Sequence, residues 1–145
     1  MATPNHYRYR DVFSPITLSA SSVKSASAAG SDVVDQMFKR AAALVLVCDM
    51  TAHSVGTTLD LSVQAKFGSA YTTLARFSQF TTTAITKAVV VRRDLGFATE
   101  ITLAADPAVG TGLLVNNHDW SDTLRIKYTI VGTSYTFSVV AYPII

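Results

Sequence analysis

Leu124-Arg125-Ile126-Lys127-Tyr128-Thr129-Ile130-Val131-Gly132-Thr133-Ser134-Tyr135-Thr136-Phe137-Ser138-Val139 is the stretch whose reading decides the fold. Leu124, Ile126, Tyr128 and Ile130 form one row, and Thr123, Arg125, Lys127 and Thr129 form the other. Beyond Gly132-Thr133-Ser134 the apolar row resumes at Tyr135, Phe137, Val139 and Ala141. Successive side chains leave a pleated backbone on opposite sides, so this alternation describes strands with one buried and one wet face. Two such runs around a Gly-containing turn predict a hairpin. The run from Tyr128 to Ile145 is uncharged, but Gly132, Pro143 and five Ser or Thr interrupt it, and it alternates. A membrane span is uniformly apolar, so no membrane partner is expected.

The same pattern extends upstream. Leu59, Leu61, Val63, Ala65 and Phe67 alternate with Asp60, Ser62, Gln64 and Lys66, which predicts a second buried row and a second wet one. Gly68-Ser69-Ala70 turns the chain into Tyr71 to Phe80, where Leu74, Ala75 and Phe77 break alternation as a bulge would. Ala42 to Met50 is apolar on both faces, the mark of a central strand covered on both sides or at a subunit contact. Ile85 to Arg93 reads as a further strand, and Thr99 to Leu103 with Gly112 to Val115 flank the turn-rich Ala104 to Gly110 as a short hairpin. Val12 to Leu18 contains Pro15 and fits only an edge strand or a strand end. From Ser19 to Ser31 ten of thirteen residues are Ser or Ala, a stretch with little to bury and expected to be weakly held. Val33, Val34, Met37, Phe38 and Ala41 fall at helical spacing, which allows a helical turn or two between Val33 and Ala43.

These elements, in a chain of 145 residues rich in Val, Ile and Thr with a single Glu, predict an all-β protein. The architecture expected is an antiparallel β-sandwich, jelly-roll or immunoglobulin-like, of about eight to ten short strands with an extended N-terminal arm. Residues 1–32 are assigned to the arm and the Ser/Ala-rich segment, and 33–145 to the sandwich domain.

The formal charge is +2, with 12 basic and 10 acidic residues, short of the excess that a phosphate-binding surface needs, so nucleic acid is not expected as a partner. One cysteine, Cys48, excludes an internal disulfide and a Cys-based metal cluster, and it is expected to be a buried thiol. His6, His53 and His118 are too scattered for a metal site, and Asp94, Asp106, Asp119 and Asp122 read as turn chemistry rather than calcium ligands. His118-Asp119-Trp120-Ser121-Asp122 lacks a nucleophile elbow. No catalytic residue, cofactor or metal is therefore assigned, and an enzyme is not expected. Met1 to Arg10 lacks the apolar core of a signal peptide, so a product kept inside the cell is expected. Arg92-Arg93 with Arg125 and Lys127 form a basic patch if their strands pair, read as a solvated outer face or as suited to an acidic patch on a protein. Tyr7, Arg8, Tyr9 and Arg10 are residue types that anchor interfaces, and they are assigned as an interface with a partner or a second subunit.

The partner is suggested by a resemblance elsewhere in the chain. Ala43-Leu44-Val45-Leu46-Val47, leading through Gly56-Thr57-Thr58 to Leu59–Ala65, then Tyr71-Thr72-Thr73-Leu74-Ala75-Arg76-Phe77 and the closing pair of strands, resembles the head decoration or cement proteins of tailed bacteriophages. The likeness spans Val33 to Tyr142, interrupted where Asp94 to Asp119 intervenes after Val89-Val90-Val91. It implies a non-enzymatic homodimer or homotrimer that binds the major capsid protein on the outer surface of the virion and cements neighbouring capsomers. The alternative is a tail or fibre sandwich module binding a host glycan or another virion protein; a glycan platform wants exposed aromatics, and the chain has one Trp, Trp120.

Overall fold

The computed structural model describes residues 14–54, 57–81, 84–93, 112–117 and 119–145. In chain order these form β1 (Ile16–Lys24), β2 (Ala28–Ala29), β3 (Val33–Val34), α1 (Gln36–Arg40), β4 (Ala43–His53), β5 (Thr58–Phe67) and β6 (Ala70–Arg76). After them come β7 (Ile85–Arg92), β8 (Leu114–Val115), β9 (Thr123–Val131) and β10 (Tyr135–Ile144). One sheet has the order β1-β10-β4-β7, and the other runs β2-β9-β5-β6-β8 with β3 also on β9.

The pairing is nested. β1 lies on β10, β2 and β3 on β9, β4 on β7 and β5 on β6, all antiparallel. One long antiparallel ribbon folded over on itself produces this nesting, with β10·β4 and β9·β5 joining its arms within the two sheets. It is the strand order of a jelly roll; an immunoglobulin-like sandwich keeps more of its consecutive strands side by side in one sheet.

Leu44, Leu46 and Cys48 from one sheet meet Leu59, Leu61 and Val63 from the other, all fully buried. Tyr135, Phe137, Val139 and Ala141 are equally buried, so the alternation of the closing stretch gives the core row correctly. Its hairpin does not form. β9 and β10 stand in different sheets, and Gly132-Thr133-Ser134 carries the chain across the sandwich as an arch. Alternation specifies which face of a strand is buried; it carries no information about which sheet the strand joins. A second arch, between β4 and β5, lies alongside: Ser54 N–H donates to the Ser134 carbonyl at 3.0 Å, and Thr57 Oγ1 donates to the Ser54 carbonyl at 2.8 Å. A true hairpin links β5 and β6, with Gly68 at φ +63° in its turn. The bulge expected near Leu74 is present as a register shift between Val63 and Gln64.

The Ser/Ala-rich stretch is held more firmly than its composition suggests. β1 starts after Pro15 on an edge, but it continues through Ser19 to Lys24 along β10. Ala28 and Ala29 pair with Tyr128 and Lys127, and Gly30 N–H donates to the Ile126 carbonyl at 2.8 Å. The sandwich therefore takes in residues from Ile16 onward, ahead of the boundary drawn at residue 33. Small side chains are what this path requires, since a Cβ on Gly30 would meet Ile126 Cγ1 at 2.8 Å. The helical spacing yields one turn, α1, capped by Asp35, whose side chain accepts the Met37 N–H at 2.8 Å. Thr99 to Leu103 and Ala104 to Gly110 lie outside the described residues; Leu114 and Val115 pair with β6 rather than closing a described hairpin.

Candidate functional site

The outward face of β9, β5 and β6 was expected to be wet. Instead Asp60, Ser62 and Gln64 on its central strand are 6%, 5% and 0% exposed. Side chains from neighbouring segments lie across them: Gln79 Nε2 donates to Asp60 Oδ1 at 3.2 Å, and Arg125 Nε donates to Gln64 Oε1 at 2.8 Å. The Arg125 guanidinium stacks 3.3 Å from the centre of the Tyr71 ring. Tyr71 Oη and Lys66 Nζ both donate to Asp32, at 2.8 Å each. The hydrogen bond from Lys66 is the main cause that holds the Asp32 carboxyl below its ordinary pKa. Lys66, Arg76, Arg125 and Lys127 outnumber Asp32 and Asp60 on this face, which leaves a modest positive excess, and the Tyr71 ring lies near the β5–β6 turn. Nothing in the spacing of Tyr71 and Arg125 signals the stack, because the residues meet only through β5.

The basic patch imagined from Arg92-Arg93 and Arg125 does not assemble, since β7 and β9 belong to different sheets. Arg93 turns inward at the α1 end of the sandwich. Its Nη2 donates to the Phe38 carbonyl at 2.9 Å and its Nε to the Ala41 carbonyl at 3.0 Å; Nη1 meets Asp119. Its guanidinium lies 4.4 Å from the centre of the Trp120 ring, and Trp120 Nε1 donates to the Phe38 carbonyl at 2.7 Å. A helix of one turn leaves its carbonyls without partners, and a planar five-donor fork supplies several at once. Trp120 is 2% exposed, which removes the single tryptophan as a glycan platform.

The outward face of β10, β4 and β7 is different in chemistry. Val140, Val47 and Ala88 form one cross-strand row, and Tyr142, Val45 and Val90 the next. Val90 is 47% exposed, and Val45, Val47, Val140 and Tyr142 are half-buried. Beside the rows a shallow hollow of about 400 Å³ is lined by Ala42, Ala43, Val90, Arg92, Arg93 and Ile144. The apolar character of β4 on both faces was legible. Its outward partners Val140 and Tyr142 stood in the sequence too, in the row of β10 taken as wet.

Of the remaining candidates, Tyr7, Arg8, Tyr9 and Arg10 lie outside the described residues, as do His6, Asp94, Asp106 and His118. His53 Nδ1 is 3.0 Å from the Ser54 carbonyl. Ser121 Oγ donates to the Lys66 carbonyl, and Asp122 accepts from Gln36 and Thr123, so these groups serve structure. Cys48 is free and buried, and loss of solvation pushes its thiol pKa up to about 12. Among the described residues no three His, Cys, Asp or Glu gather to hold a metal, and no helix is long and apolar enough to cross a membrane. Geometry thus defines a jelly-roll sandwich with two chemically distinct outward faces. Set against protein-family models, curated proteins and solved structures, the chain finds no match.

Proposed function

We propose that this chain is a non-enzymatic structural protein of a bacteriophage virion, binding the major capsid protein on the outer surface of the head and cementing neighbouring capsomers. The observation that carries the reading is the outward face of β9, β5 and β6, with a modest excess of positive charge and ordered by the Arg125–Tyr71 stack and the Lys66–Asp32 pair. Such a face suits an acidic protein surface: it is wide and pre-organised, and Arg76, Arg125 and Tyr71 are of the types that dominate interface energetics. The jelly-roll order supports the reading by analogy, since viral shell domains use it; the analogy is one of fold, which lectins share. Tyr7, Arg8, Tyr9 and Arg10 would add anchors ahead of β1, and repetition over a shell multiplies each weak contact.

Binding to undecorated heads tests it. The full chain should bind, more weakly as salt rises. Deleting residues 2–10, or Arg125→Ala, should weaken attachment, and the deletion should leave the melting temperature of the free protein nearly unchanged. If neither full nor truncated protein binds heads, the cement reading fails and the tail module moves ahead. Copy number per purified virion supplies a second check, since many copies fit a shell and a handful fit a tail.

A further inference from the structure

The geometry points to a second copy of this chain as the occupant of the outward face of β10, β4 and β7, related by a two-fold axis lying in the face and running across the strands. The inference goes beyond the proposed function and stands without it, because it concerns the free protein.

Four cross-strand rows succeed one another along this face. They are Ser138, Asp49 and Thr86; Val140, Val47 and Ala88; Tyr142, Val45 and Val90; and Ile144, Ala43 and Arg92. The apolar rows are central, an acid marks one end, and a base marks the other. A two-fold across the strands lays each strand on its own copy in the opposite direction. The two central rows then cover each other, and the Asp49 row of each copy lies over the Arg92 row of the other. A two-fold along the strands would instead bring Arg92 towards Arg92 and Asp49 towards Asp49, which like-charge repulsion disfavours. Asp49 already accepts from Thr86 Oγ1 at 2.8 Å, which orients its carboxylate on this face. The hollow beside Arg92 leaves space for the partner's acid row.

Area sets how tight such a pair can be. Three strands about 4.8 Å apart and four outward rows about 6.6 Å apart give a projected area of roughly 400 Å² per copy. A pair would bury roughly 800 Å², the size of a weak and transient interface, so a reversible dimer in the upper micromolar range is expected. Face-to-face packing of two sheets is an established way to cover such surfaces, and an isologous contact closes on itself without forming fibres.

Sedimentation of the full chain from about 1 µM to about 1 mM reads the equilibrium directly. The average mass should rise from one chain to two. Val90→Lys should raise the dissociation constant by roughly 30-fold or more, with urea unfolding unchanged as proof of folding. Asp49→Lys and Arg92→Glu should each weaken dimers by roughly 5- to 10-fold, and together restore them to within about threefold. A monomer at every concentration overturns the proposal, as does a dimer indifferent to Val90→Lys. A chain that dimerises only after residues 2–13 are deleted would give the face to its own N-terminal segment and overturn the assigned occupant. Failure of the double charge swap to restore binding overturns the two-fold.

Discussion

A Cβ built on Gly132 would stand 1.9 Å from Thr57 Cγ2, at a φ of +118° that L side chains rarely adopt. Both obstacles come from one place, the contact between the two arches. Gly132→Ala should therefore cost roughly 3–5 kcal/mol by urea unfolding, and Thr57→Ser, which removes the nearest methyl while keeping the hydroxyl, should return part of the loss. Arg93 carries a comparable load by different means. Its fork serves the carbonyls of Phe38, Lys39 and Ala41 while its plane covers Trp120. Lysine keeps the charge but has neither the planar fork nor the stacking surface, so Arg93→Lys should cost about 2–4 kcal/mol in the same assay. A loss below about 0.5 kcal/mol would mean that α1 is held without the guanidinium fork.

The inward and outward rows of β9 and β10 carry different loads. Phe137 is fully buried, and Phe137→Ala should cost about 3–5 kcal/mol. Arg125→Ala would be nearly neutral on a wet row, yet here it uncovers Gln64 and the Tyr71 ring, so about 1–2 kcal/mol should be lost. The strip between β2 and β3 is fastened through Asp32, which adds a pH dependence. Because its folded pKa is depressed, its contribution is fully present above about pH 4 and disappears as pH falls through the lower folded value. As pH falls below about 4, the urea midpoint should drop by more in the native chain than in Asp32→Asn. Element type and buried rows were legible, since alternation encodes them directly. Sheet membership was not, because Gly132-Thr133-Ser134 reads the same in a hairpin and in an arch. Burial of Asp60 and Gln64 was not legible either, because the groups that cover them, Gln79 and Arg125, come from elsewhere in the chain.

For the whole molecule the nested pairing makes the outermost partners β1 and β10 the most distant in sequence. β10 is also central to its sheet, flanked by both β1 and β4. A fragment ending at Ser134 should therefore show no cooperative thermal transition by circular dichroism; a sharp transition would mean that the β9-β5-β6 sheet folds alone. The same nesting governs how the chain is born. At roughly 5–20 residues per second, a ribosome that has finished β4 works for several seconds more before β10 exists. For that interval Leu44, Leu46 and Cys48 belong to a nascent strand whose principal neighbour has not been translated. Cellular yield should consequently respond to translation speed and to holdase chaperones far more than the equilibrium stability of the finished sandwich would suggest.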